Sequence, residues 1–271
     1  MNIYNKEIKL VALDLDGTIV NKELKITPPI RKKIKELINL GVKVVLASGR
    51  MYLSAHRYAK ELCIKEPLIT YEGALIKEVD YGRTLHSIPL PINLVENLLK
   101  LANSLGITAT VYDEEHFYTI SYTKEVAEYE RISGLKAIVN PNLSDFLPAS
   151  PLKVIFISLN PQKIKELYQK FLPEYNKLLH LTISQPIFLE FLNLEASKGK
   201  ALEWLCNYLN IPLDYTMAIG DNLNDKEMLL KAGIGVAMGN ATAELKEIAN
   251  YVVGTIEEDG VLEALEMIKE A

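Results

Sequence analysis

The stretch LVALDLDGTIV, from Leu10 to Val20, places two carboxylates and a glycine directly after a short apolar run. The run from Ile8 to Leu13 is nearly continuous, which is typical of a β-strand that is covered on both faces. Aspartate is depleted in strands, and a buried charge is costly unless another group compensates it. Asp14 and Asp16 therefore predict a polar site at the carboxyl end of this strand.

Strand and helix patterns alternate after this stretch. Thr27 and Pro28 predict the start of a helix that Gly41 ends, and Val42–Ala47 reads as the next buried strand. The same alternation returns from Lys198 onward. Short strand–helix–strand links imply parallel pairing with right-handed crossovers, so we predict an α/β fold with a doubly wound parallel sheet.

The middle of the chain has a different pattern. After about Gly82, strand-like segments follow one another with few helices between them, which predicts an antiparallel sheet with helices on one side. We therefore predict an α+β domain at residues 87–185, inserted into a discontinuous core of residues 1–86 and 186–271. Four aromatic residues lie near a predicted hairpin of this insertion: Tyr112, Phe117, Tyr118 and Tyr122. Most of them are expected to pack inside the inserted domain.

The composition of the chain argues against several classes of function. Its 271 residues carry a formal net charge of −5, so no nucleic-acid partner is predicted. No segment reaches the roughly 18 apolar residues that a membrane-spanning helix needs. Residues 1–9 lack the apolar core of a signal peptide. We therefore expect a cytoplasmic protein without a membrane partner, present as a monomer or a weak homo-oligomer.

Polar clusters occur in four places where predicted strands end or a helix begins, and open parallel sheets bind ligands at such strand ends. In sequence order they are DLDGT at Asp14–Thr18, ASGR at Ala47–Arg50, SKG at Ser197–Gly199 and GDNLND at Gly220–Asp225. These four motifs, in this order, resemble those of the haloacid dehalogenase superfamily of phosphohydrolases. The insertion between the second and third motifs, together with the forms SKG and GDNLND, is similar to the Cof-type subfamily, which has a large α/β cap.

The resemblance implies a phosphatase with a Rossmann-like core and an aspartyl-phosphate intermediate. Asp14 is the expected nucleophile, because a carboxylate can attack phosphorus to form an acyl phosphate. Asp16 is the expected general acid and base. Lys198 is the third expected catalytic residue, since it would supply a fixed positive charge to the phosphate and to Asp14.

A divalent cation is the expected cofactor, because a phosphate group beside several carboxylates is strongly repelled. Two charges about 4 Å apart cost on the order of 4 kcal/mol at an effective dielectric constant of about 20. Hard oxygen ligands indicate Mg²⁺. The resemblance assigns as its ligands the carboxylates of Asp14 and Asp221 and the backbone carbonyl of Asp16.

Other residues of the four motifs are expected to bind the phosphoryl group or to support the site. The expected phosphate-binding groups are the backbone amides of Leu15 and Gly49, the Ser48 hydroxyl, Lys198 and Asn224. Asp225 is expected to orient Lys198 or the ligands of the metal. Arg50 is expected to make a supporting contact near the site.

One position departs from the family pattern. In TYEGAL, from Thr70 to Leu75, the residue before the glycine is Glu72, where the family usually has asparagine. A carboxylate near the pocket could disfavour highly anionic substrates or pair with a basic leaving group. It could equally be a solvated turn residue.

The predicted substrates are small phosphorylated metabolites, with sugar phosphates first and nucleotides, flavin mononucleotide and pyridoxal phosphate after them. One alternative is a phosphomutase of the phosphomannomutase type, which resembles the same core and cap but moves a phosphate instead of releasing it. Another alternative is a phosphate-binding regulatory module that has lost turnover. This last hypothesis is less favoured, because the chain keeps all four expected functional residues: Asp14, Asp16, Lys198 and Asp221.

Overall fold

The structure is a computed structural model, and it describes residues 7–268. The strands within these residues are β1 (Leu10–Leu13), β2 (Lys43–Leu46), β3 (Leu68–Thr70), β4 (Leu75–Lys77), β5 (Thr84–Ser87), β6 (Thr108–Tyr112), β7 (Phe117–Thr119), β8 (Ala137–Val139), β9 (Lys153–Ile157), β10 (Leu179–Gln185), β11 (Phe188–Asn193), β12 (Thr216–Gly220), β13 (Ile234–Ala237) and β14 (Tyr251–Val252). The α-helices are α1 (Pro28–Asn39), α2 (Tyr52–Glu61), α3 (Ile92–Leu105), α4 (Lys124–Ser133), α5 (Pro161–Tyr175), α6 (Lys198–Tyr208), α7 (Lys226–Lys231), α8 (Ala243–Ile248) and α9 (Gly260–Glu266).

A five-stranded parallel sheet forms the centre of the core domain, in the order β14–β13–β12–β1–β2. All four residues of β1 are buried, because helices cover both faces of the sheet. Val11 and Leu13 pack in one apolar cluster with α1 and α9, and Leu10 and Ala12 pack in another with α6 and α7. This doubly wound α/β architecture confirms the predicted fold class.

The strands of this sheet run in the same direction, so their carboxyl ends share one edge. Strand β1 leads directly into Asp14, β12 leads into Asp221, and the loop after β2 carries Ser48. Because β1 pairs with both β2 and β12, the three motifs lie side by side. Lys198 enters the same region as the first residue of α6.

Strand β3 lies in a separate antiparallel sheet with β4 and β5, although its sequence pattern places it among the core strands. A single bridge between Ala47 and Ile69 joins it to the loop after β2. The turn that reverses the chain between β3 and β4 contains Tyr71 and Glu72, both with positive φ. Because tyrosine and glutamate rarely adopt positive φ, the sequence pattern does not predict this reversal.

The inserted domain contains a six-stranded sheet in the order β10–β11–β9–β6–β7–β8. Its strands pair antiparallel except for β7 and β8, which pair parallel because α4 connects them in a crossover. Helices α3 and α5 pack on one face of this sheet, over residues such as Val154 and Phe156. The opposite face, with Ile155 and Tyr112, packs with α4 and toward the core domain.

The strand pairing extends the inserted domain past the predicted boundary between residues 185 and 186. Strand β11 pairs with both β9 and β10, so Phe188–Asn193 belongs to the inserted sheet and not to the core. The pattern places this boundary too early for a physical reason. A hairpin turn and a link between domains both interrupt an apolar pattern with polar residues. The turn between β10 and β11 is therefore mistaken for the end of the inserted domain.

The apolar patterns of the sequence predict helices at Asn224–Ala232 and Gly260–Glu270, and both differ in extent from the helices of the structure. The predicted helix Asn224–Ala232 instead starts with a 3₁₀ turn that Asn222 caps, and it continues as α7. The last helix, predicted as Gly260–Glu270, is α9 and ends at Glu266; residues 269–270 lie outside the described residues. Within residues 7–268, no helix combines the length and the apolar character that a membrane crossing requires.

Candidate active site

Asp14 and Lys198 form the centre of the site, although 184 positions separate them in the chain. Lys198 Nζ lies 2.6 Å from Asp14 Oδ1 and 2.6 Å from Asp225 Oδ1, and all three side chains are buried. Ser197 caps α6 by accepting a hydrogen bond from the Lys200 amide, which sets the direction of the first helical turn. Burial by itself would lower the pKa of Lys198, but the two carboxylates have the larger effect. They raise this pKa to well above its ordinary value. The lysine therefore remains charged.

The turn between β3 and β4 approaches the start of α6 very closely. A Cβ atom on Gly73 would lie 2.2 Å from the backbone oxygen of Ser197, and Gly73 has a φ of +96°. Only glycine combines this conformation with so close a contact. The turn that carries Glu72 is thus packed directly against the helix that carries Lys198.

Three carboxylates form a cluster that fits a divalent cation. Oxygen atoms of Asp14, Asp221 and Asp225 lie within 4.8 Å of one another. Burial raises the pKa of Asp14 well above its ordinary value, and burial together with Asp225 raises the pKa of Asp221 to about 7. A cation of charge +2 would relieve both the burial and the mutual repulsion of these groups. Asp225 is the least available ligand, because Lys198 bonds one of its oxygens and two backbone amides bond the other.

Asp221 is held against the loop that follows β1. A Cβ atom on Gly17 would lie 2.3 Å from Asp221 Oδ2, and the φ of Gly17 is +84°. Asn240, which lies outside the four motifs, donates to the Gly17 carbonyl at 2.9 Å and to Asp221 Oδ2 at 3.2 Å. The first and fourth motifs therefore contact each other directly.

Asp16 points to Arg50, which holds both of its carboxylate oxygens. Arg50 Nε and Nη2 lie 2.7 and 2.6 Å from Asp16 Oδ2 and Oδ1, the bidentate geometry of a guanidinium–carboxylate pair. Arg50 Nη1 also donates to Ser54 and to the carbonyl of Ile132 in α4. Arg50 thus links Asp16 of the core to the inserted domain.

The loop after β2 carries Ser48 and Gly49 into the cleft between the two domains. The Ser48 hydroxyl accepts a hydrogen bond of 3.1 Å from the Arg50 amide, so its own hydrogen is available to an oxygen in the cleft. Within residues 7–268, the backbone amides of Gly49 and Leu15 donate to no protein acceptor. The Leu15 side chain is buried, and its two chain neighbours line the cleft.

Asn224, which is half-buried, bonds the buried Glu72 at the same edge of the sheet. Asn224 Nδ2 lies 3.0 Å from each carboxylate oxygen of Glu72, which is 1% exposed. A Cβ atom on Gly49 would lie 2.0 Å from Glu72 Oε1, so this carboxyl group packs directly on the loop after β2. Burial raises the pKa of Glu72, and Lys198 at 4.0 Å opposes the shift. Glu72 is therefore a member of the site and not a solvated turn residue.

A family model of haloacid dehalogenase-like hydrolases matches residues 11–265, a range that contains all four motifs. The chain belongs to the haloacid dehalogenase-like hydrolases. This match confirms the resemblance that the motifs indicate.

Similar proteins cover almost the whole of this haloacid dehalogenase-like hydrolase. Phosphatase YwpJ of Bacillus subtilis (strain 168) is 30% identical over 280 residues, covering 94% of this chain and 97% of that protein. The 5-amino-6-(5-phospho-D-ribitylamino)uracil phosphatase YcsE of the same organism is 29% identical over 259 residues, covering 96% and 95%. A crystal structure of a haloacid dehalogenase-like hydrolase from Bacteroides thetaiotaomicron superimposes with a TM-score of 0.87 at 27% identity, covering 97% of this chain and 100% of that one. The predicted enzyme class is confirmed: the chain is a hydrolase that acts on phosphate esters.

Two charged residues that the motifs do not include complete the cleft of this haloacid dehalogenase-like hydrolase. Lys153 on β9 and Glu190 on β11 are 1% and 2% exposed, and Lys153 Nζ lies 2.8 Å from Glu190 Oε2. Lys153 Nζ also donates to the Gly49 carbonyl at 2.7 Å, across the boundary between the domains. The sequence does carry a signal for both, since each is a single charge within an apolar strand and needs a buried partner.

The aromatic residues near the hairpin do not line the cleft of this hydrolase. Tyr112 and Phe117 are buried away from it, as expected of most of the four, whereas Tyr122 is 57% exposed. The cleft is lined instead by Tyr129 of α4 and Phe188 of β11. Neither residue is identified from the sequence, because no helix is predicted at α4 and the predicted boundary after residue 185 assigns Phe188 to the core.

Proposed function

We propose that this chain is a Mg²⁺-dependent phosphatase that hydrolyses small phosphorylated metabolites through an aspartyl-phosphate intermediate. The observation that carries the proposal is the convergence of Asp14, Lys198 and Asp221 at one edge of the parallel sheet. It puts a carboxylate nucleophile beside a fixed positive charge and a candidate metal site. These are the elements that phosphoryl transfer through a covalent intermediate needs.

In the first step, a carboxylate oxygen of Asp14 attacks phosphorus, and the bond between phosphorus and the ester oxygen breaks. Asp16, once it has left Arg50 and taken up a proton from solvent, transfers that proton to the leaving oxygen, so the alcohol departs uncharged. Asp16 must turn from Arg50 toward the leaving group for this transfer, because Arg50 holds both of its oxygens in the present arrangement. Lys198 remains charged beside Asp14 and offsets the negative charge of the phosphoryl group.

In the second step, Asp16 accepts a proton from water, and the water oxygen attacks the phosphorus of the aspartyl phosphate. The bond between phosphorus and the Asp14 oxygen breaks, which releases inorganic phosphate and restores the Asp14 carboxylate. The Ser48 hydroxyl and the amides of Gly49 and Leu15 are the hydrogen-bond donors that we assign to the phosphoryl oxygens.

Mg²⁺ is the cofactor that suits this set of donors. The carboxylates of Asp14 and Asp221 would hold it, and the family resemblance adds the backbone carbonyl of Asp16. When bound, the ion supplies positive charge that neutralises the phosphate and the surrounding carboxylates.

The inserted domain is proposed to act as a lid that selects the leaving group. Its residues Tyr129, Lys153, Phe188 and Glu190 line the same cleft as Asp14, where they would exclude bulk water from the reaction. Sugar phosphates are the first candidate substrates, followed by nucleotides, flavin mononucleotide and pyridoxal phosphate. The name of the YcsE relative, which specifies a phosphorylated ribitylamino compound, supports a small metabolite of this kind.

Hydrolysis of p-nitrophenyl phosphate in the presence of Mg²⁺ tests the proposal. Asp14→Asn should abolish turnover, because an amide oxygen is a poor nucleophile. The matched control is Asp80→Asn, which neutralises a half-exposed aspartate paired with Lys60 outside the cleft and should retain full activity. Comparable activity in the Asp14 variant would remove the proposed nucleophile. Release of free phosphate, as opposed to a phosphate moved within the substrate, would separate hydrolysis from a mutase reaction.

A further inference from the structure

Glu72 is a buried carboxyl group that no cation of the cleft contacts at hydrogen-bond distance. Each cation already has a carboxylate partner: Arg50 is paired with Asp16, Lys153 with Glu190, and Lys198 with Asp14 and Asp225. Among the described carboxylates that line the cleft, this leaves Asp221 and Glu72. Asp221 belongs to the candidate metal site. Glu72 is therefore a lining carboxyl group that neither pairs with a cation at hydrogen-bond distance nor belongs to the candidate metal site.

The groups around Glu72 fix the position of its carboxyl group, but none of them neutralises it through a direct bond. The nearest cation, Lys198 Nζ, is 4.0 Å away and already contacts two other carboxylates at 2.6 Å. Both oxygens of Glu72 accept from the neutral amide of Asn224, an arrangement that suits an ionised carboxylate. Because the residue is buried, water and salt screen its charge much less than they screen a surface charge.

The backbone at position 72 does not favour a glutamate. Glu72 has φ 53° and ψ 26°, in the left-handed region that suits glycine and asparagine. A longer side chain in this conformation is less favourable, and residues held in such conformations cluster at functional sites. Local structure alone would thus be better satisfied by asparagine, and the glutamate points to a use for its charge.

We propose that Glu72 is a specificity-determining residue, which makes this phosphatase discriminate against phosphate monoesters whose leaving group bears a second negative charge. The inference rests on the proposed function, because it concerns the leaving group of the same reaction. A carboxylate or a second phosphate on the leaving group would enter the cleft beside Glu72 and be repelled. Uncharged groups that bear hydroxyl or amide donors would not be repelled.

Two aryl phosphates of almost equal size provide the test: 4-carbamoylphenyl phosphate and 4-carboxyphenyl phosphate. Their leaving groups differ mainly by one negative charge. With the wild-type protein and Mg²⁺ at pH 7.5, we expect kcat/KM to favour the uncharged ester roughly tenfold, which corresponds to about 1.4 kcal/mol. In Glu72→Gln and Glu72→Asn this preference should fall to near unity, whereas Glu72→Asp should retain most of it.

A matched control removes a carboxylate elsewhere at the contact between the domains. Glu114→Gln neutralises the partner of Lys77, which lies outside the cleft, and should leave the tenfold preference unchanged. Thermal unfolding curves check that each variant is folded. The proposal is overturned if wild-type protein shows no preference, if both neutral variants keep it, or if both lose activity on the two esters alike. Failure of the proposed function gives a different result: wild-type protein would hydrolyse neither these esters nor p-nitrophenyl phosphate.

Discussion

The buried ion pair between Lys153 and Glu190 is expected to stabilise the inserted domain, and its contribution can be measured by removing each charge in turn. The two side chains are 1% and 2% exposed, and their charged atoms are 2.8 Å apart on neighbouring strands. Lys153→Met removes the cation while keeping most of the apolar stem. Glu190→Gln removes the negative charge while keeping the shape of the side chain. Each single variant therefore leaves one buried charge without its partner.

The expected magnitudes follow from this burial. Breaking a buried ion pair from one side costs about 3–5 kcal/mol, because an uncompensated charge remains. Lys153 also donates to the Gly49 carbonyl, so Lys153→Met should fall toward the upper end of that range. The double variant leaves neither charge buried, and we expect it to be no less stable than the worse single variant. The coupling free energy between the two sites should then be at least as large as the smaller single effect, about 3 kcal/mol.

Urea unfolding measures this coupling. Far-ultraviolet circular dichroism follows both domains, whereas the single tryptophan, Trp204 in α6, reports on the core. The free energies of unfolding of the wild type, the two single variants and the double variant complete a double-mutant cycle. If the two single effects add up to the effect of the double variant within about 0.5 kcal/mol, the charges do not interact, and this account of the domain face is wrong.

Two further predictions concern the carboxylates of the core. Asp16→Asn should still bind inorganic phosphate but should hydrolyse p-nitrophenyl phosphate about 10²–10⁴-fold more slowly, the range of general acid–base catalysis; an almost unchanged rate would exclude Asp16 from the mechanism. Without metal, stability should fall as pH rises from about 4 to about 7, because folded Asp221, with a pKa of about 7, retains a proton that the unfolded chain releases. The Tm in EDTA should fall less steeply over this range in Asp221→Asn, and Mg²⁺ should raise the Tm of wild-type protein more at pH 8 than at pH 5. Equal shifts by Mg²⁺ at the two pH values would contradict a metal site at this cluster.

The core fold could be predicted because its determinants are local. The apolar run that becomes β1 is buried on both faces, and its composition shows this directly. The approach of Asp221 to Asp14 is not local, but it follows from the rule that parallel strands present their carboxyl ends at one edge. The end of the inserted domain could not be predicted in the same way, since it depends on the pairing of β11 with β9.

The residues that the sequence does not reveal act through contacts between distant segments. Lys153 is recognisable as an unusual charge in a buried strand, but nothing near it in the chain identifies Gly49 as its partner. Asn240 has no motif around it, and only the fold brings it to Asp221. Glu72 stands out only as a departure from a family pattern. Its burial and its bond to Asn224 require the turn after β3, which depends on an uncommon backbone conformation.

The contacts divide the site into a rigid part and a part that can change. At Gly17, Gly49 and Gly73, a Cβ atom would lie 2.0–2.3 Å from a neighbour. These neighbours are a carboxylate oxygen of Asp221, a carboxylate oxygen of Glu72 and the backbone oxygen of Ser197, so all three residues pack directly against loops. Lys198 follows Ser197 directly and bonds Asp14, the proposed nucleophile, so close packing between loops helps to position the lysine and Asp221 of the candidate metal site. Asp16 is held differently, by the long side chain of Arg50, which also contacts α4 of the inserted domain. This division suits the proposed chemistry. The groups that bind phosphate must stay in place through both steps, whereas the residue that gives and later takes a proton must be free to leave its partner.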